Sequence, residues 1–298
     1  MARRSASHVF EPSVHLINTA QIFRESIRIL LRHSTHFQSI SIFLFSPLSL
    51  SLFLSHFLVH NFPKIPSFTV TLMNYLFNHN EAHHIIKLLS KTTVHIIITL
   101  PSSITFGLVG RAAAIQAVAD SYNGVALNER RLFMRSGLVW MKLLLTCCWE
   151  FFIVSILLGS LVVSMVIVPK TLLVCGVCSS EIGFWAVLAV LGIPFCMGFA
   201  HIMVVGNLAR VFVVLEDCCG FESLRRAKGL IEGRRQTVFM MVLVKNVGFR
   251  LVEFLFDFRL FKGMSFFEGL VLASMYSLVL VLDSIMNSVF YHICKPWH

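Results

Sequence analysis

FFIVSILLGSLVVSMVIV, residues 151–168, decides the class of fold. These eighteen residues carry no charge, and a helix crossing ~30 Å of hydrocarbon needs about 20 mostly apolar residues at 1.5 Å each. The run lies between Glu150 and Pro169-Lys170. Upstream it continues from Gly137, too far for one straight crossing, and Lys142 and Glu150 mark an interfacial lead-in to the span. Working outward, five further stretches fit the same template. Phe37–Val59 and Ile182–Gly206 are charge-free and contain Pro47 and Pro194. Val94–Val118 contains Pro101 and is interrupted by Arg111. Met264–Tyr291 carries Glu268 and Asp283 near its ends, where long or terminal charges reach water at low cost. Val238–Asp257 is the least apolar, with Lys245, Arg250, Glu253 and Asp257.

Composition agrees with these runs. The 298 residues are 56% hydrophobic and 13% charged, with a mean hydropathy of +0.79. A soluble domain carries ~25% charged residues, and this chain has too few to cover a water-facing surface. Disorder, collagen and a disulfide scaffold are excluded by the same figures, since 8 cysteines fall far below the ~8–10% of such scaffolds. The net charge of +10 is scattered between apolar runs without a basic, aromatic-interleaved stripe. Anionic lipid headgroups, and not nucleic acid, are therefore the expected counter-charge.

Residues 1–12, MARRSASHVFEP, are not followed by the apolar core and cleavage site of a secretory signal. The first internal span is expected to serve as the insertion signal. The endoplasmic reticulum or plasma membrane is favoured over an organelle reached by a transit peptide, which the Arg- and Ser-containing start weakly resembles. With six spans, the Lys and Arg residues of the connecting segments divide 15 against 6 in favour of a cytosolic N-terminus. The reading is then an all-α polytopic membrane protein. Residues 1–36 form a cytosolic segment with an amphipathic interfacial helix, 37–291 a six-helix transmembrane domain, and 292–298 a short cytosolic tail.

Two segments have the pattern of surface helices. Before the first span, Arg24, Arg28 and Arg32 recur every four residues beside Leu16, Ala20, Phe23, Ile27 and Leu30. After the fourth, residues 220–236, GFESLRRAKGLIEGRRQ, set Leu224, Ala227 and Ile231 on one edge, surrounded by Arg225, Arg226, Lys228, Arg234 and Arg235. Both are expected in the headgroup plane, basic residues toward anionic lipid.

Motifs of chemistry are sparse. His79-Asn80-Glu81-Ala82-His83-His84 places His79 and His83 four apart, yet it is not HExxH and no third ligand accompanies it. Cys175-Gly-Val-Cys178 lacks the βαβ context of a redox motif, and the pairs Cys147-Cys148 and Cys218-Cys219 suit one metal poorly. Cys218, Cys219 and Cys294 lie where acylation is permitted. Arg111, Glu150, Lys245, Arg250, Glu253 and Asp283 are the ionisable groups inside apolar runs, where charge is costly and often functional. The three-residue spacing of Arg250 and Glu253 fits a pair on one helix, and structural pairing is the favoured reading of the set. Gly110-x-x-x-Ala114 and Ala113-x-x-x-Ala117 let the second span pack closely against a neighbour. No nucleotide, hydrolase or paired-carboxylate motif occurs, so no catalytic, cofactor-binding or metal residue is assigned.

Val211–Arg235, VFVVLEDCCGFESLRRAKGLIEGRR, resembles the VVSVLE-x4-G-x2-A-x3-S-x2-L-x2-G-K signature of a plant family of uncharacterised six-span transmembrane proteins. It is more distantly similar to the membrane domain accompanying some bacterial glycerophosphodiester phosphodiesterases. Val214, Leu215, Glu216, Gly220, Leu230 and Gly233 match, whereas Ser223 and Ala227 exchange the usual Ala and Ser, and Arg234 replaces Lys. Glu25–His56 is similar to the family's opening helix and first span. The resemblance implies a six-helix membrane protein, and it carries over no catalysis because the hydrolytic domain has no counterpart here. The residues singled out are Glu216, Gly220, Arg225, Arg226, Lys228, Leu230, Gly233, Arg234 and Arg235. The expected function is a non-enzymatic membrane organiser or adaptor binding membrane proteins or lipid. Transport of a small solute or lipid is the alternative, to be favoured by convergent buried charges around an accessible cavity.

Overall fold

The computed structural model describes residues 19–61, 83–125, 127–174, 181–263 and 265–295. Among these every regular element is a helix: α1 (Thr19–Arg32), α2 (Ser34–Ile40), α3 (Ser46–Asn61), α4 (His83–Ser102), α5 (Leu108–Tyr122), α6 (Glu129–Val174), α7 (Glu181–Glu216), α8 (Phe221–Ile231), α9 (Arg235–Lys262) and α10 (Phe266–Cys294). Two π-helical turns, Ser41–Phe45 and Ser103–Gly107, join α2 to α3 and α4 to α5. Pro47 lies just after the first and Pro101 just before the second. Widened turns free backbone carbonyls. Here side chains satisfy them: Trp140 donates its indole N–H to the Ile104 carbonyl at 2.8 Å, and the Thr105 hydroxyl donates to that of Pro101 at 2.8 Å.

Among the described residues, five helical stretches are long and apolar enough to cross a membrane: Ser34–Leu58, Thr92–Tyr122, Glu129–Ser164, Gly192–Glu216 and Phe266–Cys294. Val238–Asp257, the sixth expected crossing, is helical within α9 but too rich in charge to join them.

The bundle is built around α10. Its buried face mixes large apolar residues, Leu280, Ile285, Met286 and Phe290 among them, with the small or hydroxylic Ala273, Ser277, Ser284 and Ser288. The latter let helices approach closely and bond across the contact. Ser277 and Ser49 of α3 share a hydrogen bond of 2.8 Å between buried hydroxyls. In α5, Gly110, Ala113, Ala114 and Ala117 are buried, as the four-residue spacing predicted. A Cβ on Gly110 would stand 3.0 Å from the Phe45 ring.

The two surface helices differ from their sequence reading. Ile22, Ser26 and Ile29 of α1 and Ser223, Leu224, Ala227 and Ile231 of α8 are buried inside the protein, so these helices cap the bundle with their apolar edges. In α8 the buried edge is the expected one, with Ser223 added; in α1 it is displaced, since Ala20 is exposed and Phe23, Ile27 and Leu30 are half-buried beside the buried Ile22, Ser26 and Ile29. Periodicity cannot tell a protein neighbour from a lipid one. The second helix is also shorter than 220–236. It stops at Ile231, the chain turns through Gly233 at φ +89°, and Arg235 already begins α9.

The longest helix, α6, runs unbroken for 46 residues, about 69 Å. The expected interfacial lead-in and span are thus one element. Its first half buries a stripe of Leu132, Ser136, Leu143, Thr146 and Glu150 against the bundle. From Phe151 to Met203, across the end of α6 and the start of α7, no described side chain is buried. These halves meet each other, with Leu157 against Gly198, and form a two-helix arm.

Candidate functional site

Five ionisable side chains, one from each of five helices, converge within the bundle. Arg210 of α7 donates from Nη2 to Glu150 Oε2 of α6 at 2.6 Å, and from Nη1 to Asn207 Oδ1 at 3.1 Å. Arg111 of α5 donates to the same Asn207 oxygen at 3.4 Å. On the other side, Lys245 of α9 faces Asp283 of α10 at 3.8 Å, and Asn287 donates its amide to Asp283 Oδ1 at 3.0 Å. Spacing puts these groups on single faces: Asn207 and Arg210 are three apart, Asp283 and Asn287 four.

Close approach depends on Gly206. A Cβ there would overlap the Glu150 carboxyl, so the helix offers the carboxylate bare backbone. Burial is deep, with side-chain exposures of 7% for Glu150 and Asp283 and 13% for Arg210 and Lys245. One such charge at the centre of a membrane helix costs about 2.5–3.5 kcal/mol on insertion scales, which is why pairing is obligatory. Between the two pairs lies a cavity of about 10 Å³, lined by Arg111, Ile115, Asn207, Arg210, Val211, Asp283, Ser284 and Asn287. That is room for one water.

Sequence reading named Arg111, Glu150, Lys245 and Asp283 separately, and the structure brings all four together. It missed Asn207, Arg210 and Asn287. Arg210 stands six residues inside α7, and its three-residue spacing from Asn207 is the available signal. Arg250 and Glu253 do pair along α9, at 3.0 Å, away from this cluster.

The signature residues build a second constellation where α7 turns into α8. Glu216 accepts from Tyr291 Oη at 2.7 Å, Lys295 Nζ at 2.7 Å and Arg226 Nη1 at 2.9 Å. One carboxylate thus ties the end of α7 to α8 and to the end of α10. Its hydrogen bond, then that of Tyr291, raises the Lys295 pKa above the usual lysine value. The turn that follows is forced: Asp217 adopts φ +59°, and Gly220 adopts φ +65° with ψ −136°, a conformation available to glycine. The Gly220 N–H donates to Thr146 Oγ1 at 3.0 Å, and the Trp149 ring lies where a Cβ would be crowded.

The other singled-out residues divide by task. Arg226 is committed to Glu216 and Glu222, and Arg234 donates to the Cys294 carbonyl at 3.2 Å. Leu230 is half-buried against the core, and Gly233 makes the turn. Arg225, Lys228 and Arg235 remain exposed, as do Arg24, Arg28 and Arg32 of α1. The five basic residues read as one lipid-gripping set are therefore not equivalent, because two are held by the protein's own acceptors.

A family model described as a domain of unknown function, DUF8558, matches residues 11–298. The chain belongs to that family. No curated protein and no solved structure matches it. The DUF8558 match takes in both the charge cluster and the Glu216 corner. The histidine segment 79–82 and the Cys175–Cys178 pair lie outside the described residues, and of His83 and His84 only the backbone is described. Among the described residues no group of three His, Cys, Asp or Glu side chains could hold a metal. Cys294 is buried, Cys218 half-buried with its thiol pKa pushed up by burial, and Cys219 exposed.

Proposed function

We propose that this protein is a six-span membrane organiser or adaptor of the endoplasmic reticulum or plasma membrane, with both termini cytosolic and no catalytic chemistry of its own. The observation that carries the reading is the α6–α7 arm, in which none of the described side chains between Phe151 and Met203 is fully buried and most of the large apolar ones are exposed. Phe151, Ile156, Val163, Ile193 and Met197 offer a partner helix a broad apolar contact in the bilayer. Anionic lipid is the second partner, met by the exposed arginines of α1 and by Arg225, Lys228 and Arg235. The likeness of Val211–Arg235 to the plant six-span signature supports this plan.

Pairing supports a sixth crossing by α9. Its 28 residues reach about 42 Å, and Lys245, Arg250, Asp257 and Arg259 each face an opposite charge or a histidine partner within 4 Å. Hydropathy scores such residues singly, whereas a paired charge is far cheaper to bury than a lone one. Protease protection of terminal tags in sealed vesicles tests this: both tags digested from the cytosolic side fits six crossings, and a protected C-terminal tag fits five.

Transport is the second reading, favoured by the convergence of buried charges and opposed by a cavity of only about 10 Å³. Proximity labelling with the intact protein, repeated with Phe152, Ile156 and Val163 changed to alanine, separates the two. The organiser loses specific membrane-protein neighbours while its thermal stability holds. Solute flux into liposomes that stops with Asp283→Asn would make it a transporter instead.

A further inference from the structure

The charge cluster does not balance. Arg111, Arg210 and Lys245 bring three cations, whereas Glu150 and Asp283 bring two carboxylates. Both carboxylates are already engaged, Glu150 by Arg210 at 2.6 Å and Asp283 by Lys245 and Asn287. The surplus falls on Arg111. Its hydrogen bond is a 3.4 Å contact with a neutral amide oxygen that Arg210 already occupies. A guanidinium has five N–H donors and no acceptor, so most of its capacity is unspent among the described residues. Arg210 adds a second opening: its Nε is buried and has no hydrogen-bond partner. Both arginines line the one-water cavity.

We propose that this cavity binds a single monovalent inorganic anion of halide size, chloride in the cell. Two guanidinium groups on one small void supply charge and unspent N–H donors together, the combination that anions recognise. The Asp283 carboxylate on the same wall is neutralised by Lys245, and the Ser284 hydroxyl is spent on the Leu280 carbonyl at 3.0 Å. Size rules against the polyatomic phosphate and carboxylate groups, because the void is only about 10 Å³; a halide, somewhat larger than water, seats by displacing the water and pressing its lining slightly outward. The bound halide brings the interior to neutrality and cross-links α5 to α7. The inference goes beyond the organiser reading and stands apart from it, since the arm takes no part in the site.

Thermal unfolding of the full chain in detergent micelles tests it, in potassium chloride, bromide and gluconate at equal ionic strength. The unfolding midpoint is expected to rise in chloride and bromide over gluconate, saturating with concentration. Arg111→Gln removes the dependence, whereas Arg225→Gln on the exposed face of α8 keeps it. Equal midpoints in all three salts would mean that the cavity holds only water and would overturn the proposal, as would a halide effect that survives Arg111→Gln. Should Arg111→Gln fail to fold, chloride-35 line broadening by the unaltered protein gives the answer. Broadening relieved by excess bromide supports the site, and its absence overturns it.

Discussion

The spans Phe266–Cys294 and Glu129–Ser164 have mean hydropathies of 1.9 and 2.0, yet 56% of the first one's most apolar window is buried and only 11% of the second's. In water, equal hydropathy would argue for equal burial. In a bilayer it does not, because lipid tails receive a leucine as readily as a protein interior does. What distinguishes the helices is what lipid rejects or cannot use. In α10 the inward face carries Ser277, Asp283, Ser284 and Ser288, while the arm half of α6 turns Phe151, Phe152, Ile156, Val162 and Val163 outward. Buried polar side chains, and not mean hydropathy, set α10 apart from the arm.

The strongest way to break that comparison is to strand a charge on the inner side. Arg210→Leu leaves Glu150 buried without its cation and is expected to cost about 3–5 kcal/mol. Adding Glu150→Leu should restore most of it, measured as the thermal midpoint in micelles. A neutral single substitution would mean that the interior is no drier than the arm. Next in size is Ser288→Leu, at a position of 0% exposure on α10. Overpacking there should cost about 1–3 kcal/mol, visible as lower resistance to heat or denaturant.

Glu216→Gln sharpens the boundary between the two regions. It weakens the tie among α7, α8 and α10 by about 1–2 kcal/mol, since hydrogen bonds to a charged acceptor are replaced by those to a neutral one. Maleimide should then label the half-buried Cys218 faster; unchanged labelling would mean that the corner is held elsewhere. The smallest effect is expected on the arm. Ser160→Leu, on the exposed side of α6, should change stability by less than about 0.5 kcal/mol, as surface replacements usually do. A loss matching that of Ser288→Leu would place Ser160 in a packed contact and erase the difference between the helices.

Much of this organisation was legible in residue order. Apolar runs gave the five helices long and apolar enough to cross a membrane, GxxxA spacing the tight face of α5, and the three-residue interval the Arg250–Glu253 pair. The match at Glu216 and Gly220 marked a corner whose reason became clear only in three dimensions, in a three-donor carboxylate and a positive-φ turn. What periodicity could not give was destination. An apolar edge such as Leu224-Ala227-Ile231 has the same pattern whether it meets lipid or protein. Partners such as Arg111 and Asn207, 96 residues apart, leave no local trace. Nor could it show that α10, similar in hydropathy to the other spans, stands at the centre.

That central place sets a timetable. Ser277 follows Ser49 by 228 residues, and at translation rates of 5–20 residues per second it is made roughly 11–46 s later. Throughout that interval Ser49 of α3 has no α10 to receive it, nor has Ala113 of α5 once it is made, whereas Lys245 of α9 comes shortly before Asp283. Side chains that the finished bundle hides must wait beside lipid, or beside an attendant protein, until the helix that shelters them is synthesised.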